Sequence, residues 1–216
     1  MSLIRFLCLA ALLVRIPATA GITIEGNVAL PDAKGGAKSP ARYVNVNAAE
    51  VGPSPSPVAV VFLDGDFKNA ATSTNAPAAQ VIQHRFQFSP GILPVRRGTT
   101  VEFPNQDDAY HNVFSYSKTK RFDLGRYRKD EKPATVTFDK AGVVKLYCEI
   151  HEHMRGTILV LDTPYFVCTD TNGNFRLENL PAGKFTLKAW LDESSTLERT
   201  VELTNDVTLR VDFTSK

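Results

Sequence analysis

Short runs of alternating apolar and polar residues dominate this chain, and turn residues punctuate them. Ile22 to Leu30 places Ile22, Ile24, Val28 and Leu30 in alternation and predicts a strand with one buried face. Val58 to Leu63 is continuously apolar and stops at Asp64 and Gly65, the pattern of a fully buried strand followed by a turn. From Gln80 the signal becomes dense. Val81 to Phe88 alternates, and strand-length runs follow at Ile92 to Val95, Thr99 to Phe103, Val113 to Tyr116, Ala134 to Phe138, Val143 to Cys148 and Thr157 to Leu161. Ser89 to Gly91, Gly98, Pro104 with Asn105, and Ala141 with Gly142 separate them. After Asp162, a polar turn beginning at Thr169 feeds a strand towards Leu177. Leu180 to Gly183 turns again, and Phe185 to Leu191 and Val201 to Phe213 supply further strands. No run beyond the first twenty residues combines a 3.6-residue period with caps. Short, evenly spaced strands predict an all-β chain of sandwich or barrel type. Pro31 to Ala41 and Asn69 to Ala79 read as loop or linker, and the Pro-rich stretch Gly52 to Pro57 as a stiff extended connection.

The first residues read differently. Arg5 precedes an apolar run from Phe6 to Val14, and Ala18 to Ala20 is a small-x-small cleavage signal. Residues 1–20 are therefore expected to be a secretory signal peptide, cut before Gly21. The alternative is a membrane anchor, but Arg15 interrupts a run already short for a bilayer. No further transmembrane segment follows. Loss of the leader removes Arg5 and Arg15, leaving 23 basic against 23 acidic side chains. That balance offers no electrostatic handle for nucleic acid or an anionic membrane. At 216 residues, 43% of them hydrophobic, the chain has room for one large core or two small ones.

Two cysteines remain after the leader, Cys148 and Cys168. In an oxidising compartment such a pair could be a disulfide. Cys148, however, opens a run that continues through His151 to Met154, with His111 upstream. A thiolate, two imidazoles and a thioether form a donor set that few ions prefer. A His₂Cys trigonal set with a weak axial Met is the arrangement of a blue-copper site. The short Cys-to-Met spacing lets one tight loop between two strands supply three donors, with His111 reaching in from another strand end. On this reading the metal donors are His111, Cys148, His151 and Met154, around one mononuclear copper. Cys168 is then a buried small hydrophobe. His84 falls in an alternating strand, as a surface or half-buried residue, and the single tryptophan, Trp190, is expected in a core. Lys118 to Lys132 carries seven basic and three acidic residues. It reads as a solvated face or, more sharply, as a docking patch for an acidic redox partner.

The stretch from Phe103 through Asn105, His111, Asn112 and Phe114, and then from Ala141 to Met154, resembles the amicyanin- and plastocyanin-like cupredoxins. The likeness covers roughly residues 80–162. With Asp162 to Phe166 after it, the chain is similar to secreted bacterial proteins labelled methylamine utilisation protein. The resemblance implies a Greek-key β-sandwich, equatorial ligands His111, Cys148 and His151, axial Met154, and an Asn112 that ties the two ligand loops together. It also implies that His151 lies nearest the surface, as an electron exit. Two positions depart from the family pattern. Glu149 stands where Thr or Ser is common, and a carboxylate there would favour Cu(II). His153 stands where a bulky apolar residue is common, and could compete as a ligand or lie solvated beside the site.

Thr169 to Leu187 resembles the carboxypeptidase-regulatory-like, or transthyretin-like, β-sandwich module. Strands such as Ile22 to Val28 and Ala59 to Leu63 also belong to that pattern. The expected organisation is therefore a module of residues 21–70 and 163–216 interrupted by a cupredoxin domain at 80–162. The alternative is an N-terminal extension of the cupredoxin sheet with an independent C-terminal module. The expected function is a periplasmic or secreted electron carrier, not an enzyme, that exchanges single electrons with redox partner proteins. A copper storage or delivery protein and a non-redox interaction module are the competing readings.

Overall fold

In the computed structural model the described residues are 21–31, 51–67, 78–204 and 208–214. The leader reading at 1–20, and most of the loop and linker readings at 31–41 and 69–79, lie outside them. Every regular element among the described residues is a strand. In chain order they are β1 (Ile22–Asn27), β2 (Val60–Asp64), β3 (Ala79–Gln80), β4 (Ile82–His84), β5 (Gln87–Ser89), β6 (Ile92–Arg96), β7 (Thr99–Phe103), β8 (His111–Tyr116), β9 (Arg121–Tyr127), β10 (Ala134–Phe138), β11 (Gly142–Tyr147) and β12 (Arg155–Leu161). After these come β13 (Phe166–Cys168), β14 (Asn174–Leu180), β15 (Gly183–Asp192), β16 (Ser195–Leu203) and β17 (Thr208–Arg210).

The middle of the chain forms a sandwich. One sheet has the order β6-β12-β11-β8-β9, the facing sheet the order β10-β7-β3, and β4 with β5 makes a separate hairpin. The period-2 alternation of β11 explains the layering. Val144, Leu146 and Cys148 turn inward, while Lys145 and Tyr147 turn outward. In β8, His111, Val113 and Ser115 are fully buried on the inward face, and Asn112 between them is buried as well, its amide tied to β9. The core between the sheets gathers Phe88, Phe103, Phe138, Leu146, Met154 and Ile158 with smaller side chains. Burying side chains of this size stabilises the fold by about 1.5–3 kcal/mol each.

The remaining strands form two further sheets, β14-β1-β17 and β13-β2-β15-β16. Strands from before the central sandwich thus pair with strands from after it. β1 runs antiparallel to β14 and parallel to β17, and β2 lies between β13 and β15. A second core, including Ile24, Leu63, Leu187 and Phe213, lies between these sheets. Gly26 is required where β1 passes Val211, because a Cβ there would collide with the Val211 carbonyl.

A third, smaller cluster joins the two bodies. Leu159 and Leu161 of β12 meet Val60 of β2 and Trp190 of β15. The outer face of the five-stranded sheet is therefore divided. Its Leu159–Leu161 end is covered, while its Tyr147 end, with Phe114 and the exposed Tyr116, is not.

One strand expectation fails. Val81 to Phe88 alternates as a single strand would, yet β4 and β5 fold back on each other, pairing Ile82 with Ser89 and His84 with Gln87. The chain reverses at Arg85 and Phe86, whose φ angles are 50° and 57°. Two consecutive left-handed residues make the backbone of a tight hairpin turn, but neither is the Gly or Asn that usually marks one. The alternation therefore concealed the break.

Candidate metal centre

His111 stands at the start of β8 and its side chain is fully buried. Cys148 follows β11, and His151 and Met154 lie in the loop that leads to β12. That loop closes on itself, since Met154 N–H donates to the His151 carbonyl at 2.9 Å. Ligand atoms of His111, Cys148 and His151 all lie within 4.8 Å of one another. The two Nδ1 atoms are 3.0 Å apart, and Cys148 Sγ is 3.8 Å from His151 Nδ1. Met154 is fully buried at the end of the same loop. Both remaining cysteines are free, so no Cys148–Cys168 disulfide forms.

Protonation favours metal binding. Burial pushes the His111 imidazole below its ordinary value, although Asp107 opposes the shift. Burial, with the neighbouring rings of His111 and His153, pushes His151 down to about 4. Both rings are thus neutral at physiological pH, the state a metal ligand needs. His111 Nε2 is 2.9 Å from Asp107 Oδ2. Burial would raise the Asp107 carboxyl, but bonds from the Phe86 amide, His111 and the Arg85 amide outweigh it and hold the group below the usual range. An ionised carboxylate only accepts, so the His111 proton sits on Nε2 and its Nδ1 lone pair faces His151. Two nitrogen lone pairs 3.0 Å apart repel unless a proton or a cation lies between them. Two imidazole nitrogens and a sulfur, one ring fixed by an outer hydrogen bond, fit copper.

Residues around this cluster behave differently from expectation. Asn112 does not bond to the Cys148 loop. Its Nδ2 donates to Asp123 Oδ1 at 2.7 Å and to the Gly125 carbonyl at 3.1 Å, both on β9, next to a bulge in the β8–β9 pairing. Glu149 Oε1 accepts from Arg126 Nε at 2.6 Å, so a cation offsets its charge. His153 is half-buried rather than solvated. Its ring is bonded to the Phe86 backbone, its Nε2 is enclosed without a partner among the described residues, and it is not part of the three-donor group. His84 is exposed, 3.8 Å from Asp107. The basic run Lys118 to Lys132 is largely compensated from outside itself. Lys120 pairs with Asp139, Arg126 with Glu149, and Lys129 with Asp108.

Three residues were not singled out from sequence. Asp107 holds His111. Asn105 holds Asp107 by accepting its N–H at 2.9 Å, and donates to the Ala109 and Tyr127 carbonyls at 3.0 Å each. Phe86 packs edge-on against both imidazoles, 5.4 Å from His111 and 4.9 Å from His151 between ring centroids. The i−4 spacing of Asp107 from His111 was the available signal for the first. Nothing local marks Phe86.

Residues 76–161 match the family model of copper binding proteins, plastocyanin/azurin family. Among solved structures, the chain is similar to a Cu-containing nitrite reductase from Thermus scotoductus SA-01, with 26% identity, TM-score 0.38, and coverage of 44% of this chain and 24% of that one. It thus spans about a quarter of that enzyme's length. A reduced amicyanin carrying a Trp-to-Tyr substitution gives 25% identity and TM-score 0.36, covering 41% of this chain and 88% of that one. A purple cupredoxin from Nitrosopumilus maritimus gives 27% and 0.35, covering 38% and 99%. Comparison with curated proteins returns no match. No helix among the described residues is long and apolar enough to cross a membrane. With its all-β architecture, its His–Cys–His cluster and the matching family model, the chain carries a copper-binding cupredoxin domain of β-sandwich form over residues 76–161.

Proposed function

We propose that this protein is a periplasmic or secreted type 1 copper protein that carries single electrons between redox partner proteins, without a reaction of its own. The observation that carries the reading is the convergence of His111, Cys148 and His151 within 4.8 Å at one end of a rigid sandwich. Copper would be held by His111 Nδ1, Cys148 Sγ and His151 Nδ1, with the Met154 thioether as a weaker fourth donor. Copper, when bound, supplies a one-electron couple. The chain's part is to hold the donors still. His111 is fixed by β8 and Asp107, Cys148 by β11, and Met154 by the core around it. Donors that need not move between oxidation states cost little reorganisation, which favours fast exchange. Phe86 and the core exclude water from the inner side, while the half-buried His151 is the donor nearest solvent.

We further infer that residues 21–70 and 163–216 form one transthyretin-like module interrupted by the cupredoxin domain. Pairing of β1 with β14 and β17, and of β2 with β13 and β15, supports this.

The test is the visible and electron-paramagnetic spectrum of the copper-loaded protein, beside Cys148→Ser. An intense thiolate-to-Cu(II) band with reversible reduction is expected for the wild type. The band should vanish in the variant while the circular dichroism stays unchanged. Intense colour retained in Cys148→Ser rejects the donor assignment. Rapid loss of copper to a competing chelator, without reversible reduction, favours a delivery role instead.

A further inference from the structure

We propose that Asp107 is the positioning residue of this metal centre: one carboxylate ties the Arg85–Phe86 turn to the outer nitrogen of His111, and so sets both the aim of the His111 lone pair and the ring that covers the two imidazoles. The proposal rests on His111 being a copper donor.

The geometry is specific. Asp107 Oδ1 accepts from the Arg85 amide at 2.7 Å, and Oδ2 from the Phe86 amide at 2.9 Å. Oδ2 also faces His111 Nε2 at 2.9 Å. The carboxylate thus accepts three hydrogen bonds from two parts of the chain. The turn it grips is a strained one. Left-handed backbone is unfavourable for an L-residue, and here two such residues adjoin. Hydrogen bonds to a charged acceptor are stronger than neutral ones, and the two that Asp107 accepts from this turn oppose that strain. Asp107 shares that hold with the Gly52 amide, which donates to the Arg85 carbonyl at 2.8 Å, and with the His153 ring, bonded to the Phe86 backbone, but it is the group that also reaches His111. Held in this way, the turn places the Phe86 ring nearly perpendicular to both imidazoles, at 85° and 82°.

The other half of the arrangement concerns His111. Its side chain is sealed from solvent. Water cannot replace the carboxylate as partner to Nε2, and an unpaired buried N–H is costly. The ring deprived of Asp107 gains by moving its proton to Nδ1, the nitrogen that must be bare to bind copper. A carboxylate on the outer nitrogen also makes the imidazole a stronger donor. Asp107 is itself held from behind by Asn105, which accepts its N–H and donates to the Ala109 and Tyr127 carbonyls. The neighbouring Asp108 has a different role, paired outward with Lys129.

The experiment compares the full chain with Asp107→Asn and Asp108→Asn. Nitrogen-15 NMR of the metal-free protein reports the His111 tautomer and amide exchange at Arg85 and Phe86. Copper titration and voltammetry report affinity and potential. Asp107→Asn offers one accepting oxygen in place of two. It should populate the Nδ1–H tautomer, speed exchange of the two turn amides, weaken Cu(II) binding by about 10–100-fold and raise the reduction potential. Asp108→Asn removes the same charge one residue away and should keep the wild-type tautomer and affinity. A folded Asp107→Asn with wild-type tautomer, affinity and potential overturns the proposal, as does an equal effect from Asp108→Asn. Should Asp107→Asn not fold, the wild type decides: a slowly exchanging Nε2–H supports the proposal, and a proton on Nδ1 overturns it. A wild type with the expected tautomer but no thiolate–copper band would sink the donor assignment and leave the Asp107 contacts standing.

Discussion

Met154, the proposed fourth donor, is first of all a core side chain. It is fully buried among Phe88, Leu146 and Ile158, and it closes the loop that carries His151. Leucine is close in volume, so Met154→Leu should cost less than about 1.5 kcal/mol of stability. It should still bind copper. Loss of a weak donor to Cu(II) should raise the reduction potential. Voltammetry against a thermal melt checks both, and an unchanged potential would show that Met154 is no axial donor. Single residues also correct what local chemistry implies. Glu149 looked like a bare charge beside the site, but Arg126 lies across from it on β9. Asn112 looked like a tie between ligand loops, but Asp123 captures its amide. In both cases the deciding partner is distant in the chain and adjacent in the sheet.

The β4–β5 hairpin is the element that alternation misread. A period-2 pattern reports which face each residue presents, but the two-residue turn slips its phase: Gln83 pairs with Phe88 and both are buried, so the inward set passes from odd to even positions. Its turn residues are chosen for their contacts rather than their backbone preference: Phe86 covers the imidazoles, and both amides reach Asp107. Arg85 makes the easier probe, since its side chain is exposed. Asn tolerates left-handed backbone better than Arg. Arg85→Asn should therefore raise the unfolding free energy by about 0.5–1 kcal/mol, with the copper spectrum unchanged. A lower melting temperature would mean that the turn is not strained at Arg85. β9 carries a similar lesson. The basic run Lys118 to Lys132 around it read as a solvated or a docking face, yet Asp139, Glu149 and Asp108 come from elsewhere in the chain to meet Lys120, Arg126 and Lys129. The excess of positive charge visible along the chain is much smaller on the folded surface.

Between the two sandwiches lies a junction whose chemistry belongs to neither alone. Trp190, expected in a core, is buried there with Leu159 and Leu161 rather than at the centre of a module. Cys168 packs against the same cluster. Burial there pushes its thiol up from 9.0 to about 11. The folded chain holds that proton more tightly than the unfolded chain does. Stability from this group is therefore fully present below pH 9 and falls as pH rises from about 9 towards 11. Denaturant titrations should show that decline, and Cys168→Ala should flatten it. Iodoacetamide at pH 8 should label Cys168 slowly in the folded protein and quickly after unfolding. Equal rates would show the junction to be open.

Residue identity and spacing were sufficient to single out His111, Cys148 and His151, which the fold brings together, because one short loop carries two of them and their chemistry needs no distant partner to be legible. Strand existence was equally plain from alternation, since burial on one face of a sheet imposes it directly. Neither source could say that Val81 to Phe88 would fold back or that Asp107 would join that turn to His111, and the pairing of β1 with strands beyond the central sandwich was expected only from the resemblance of Thr169 to Leu187 to a transthyretin-like module. These depend on which groups meet after the chain has closed on itself. Hydrogen bonds and ion pairs act over about 3 Å in space and take no account of separation along the chain.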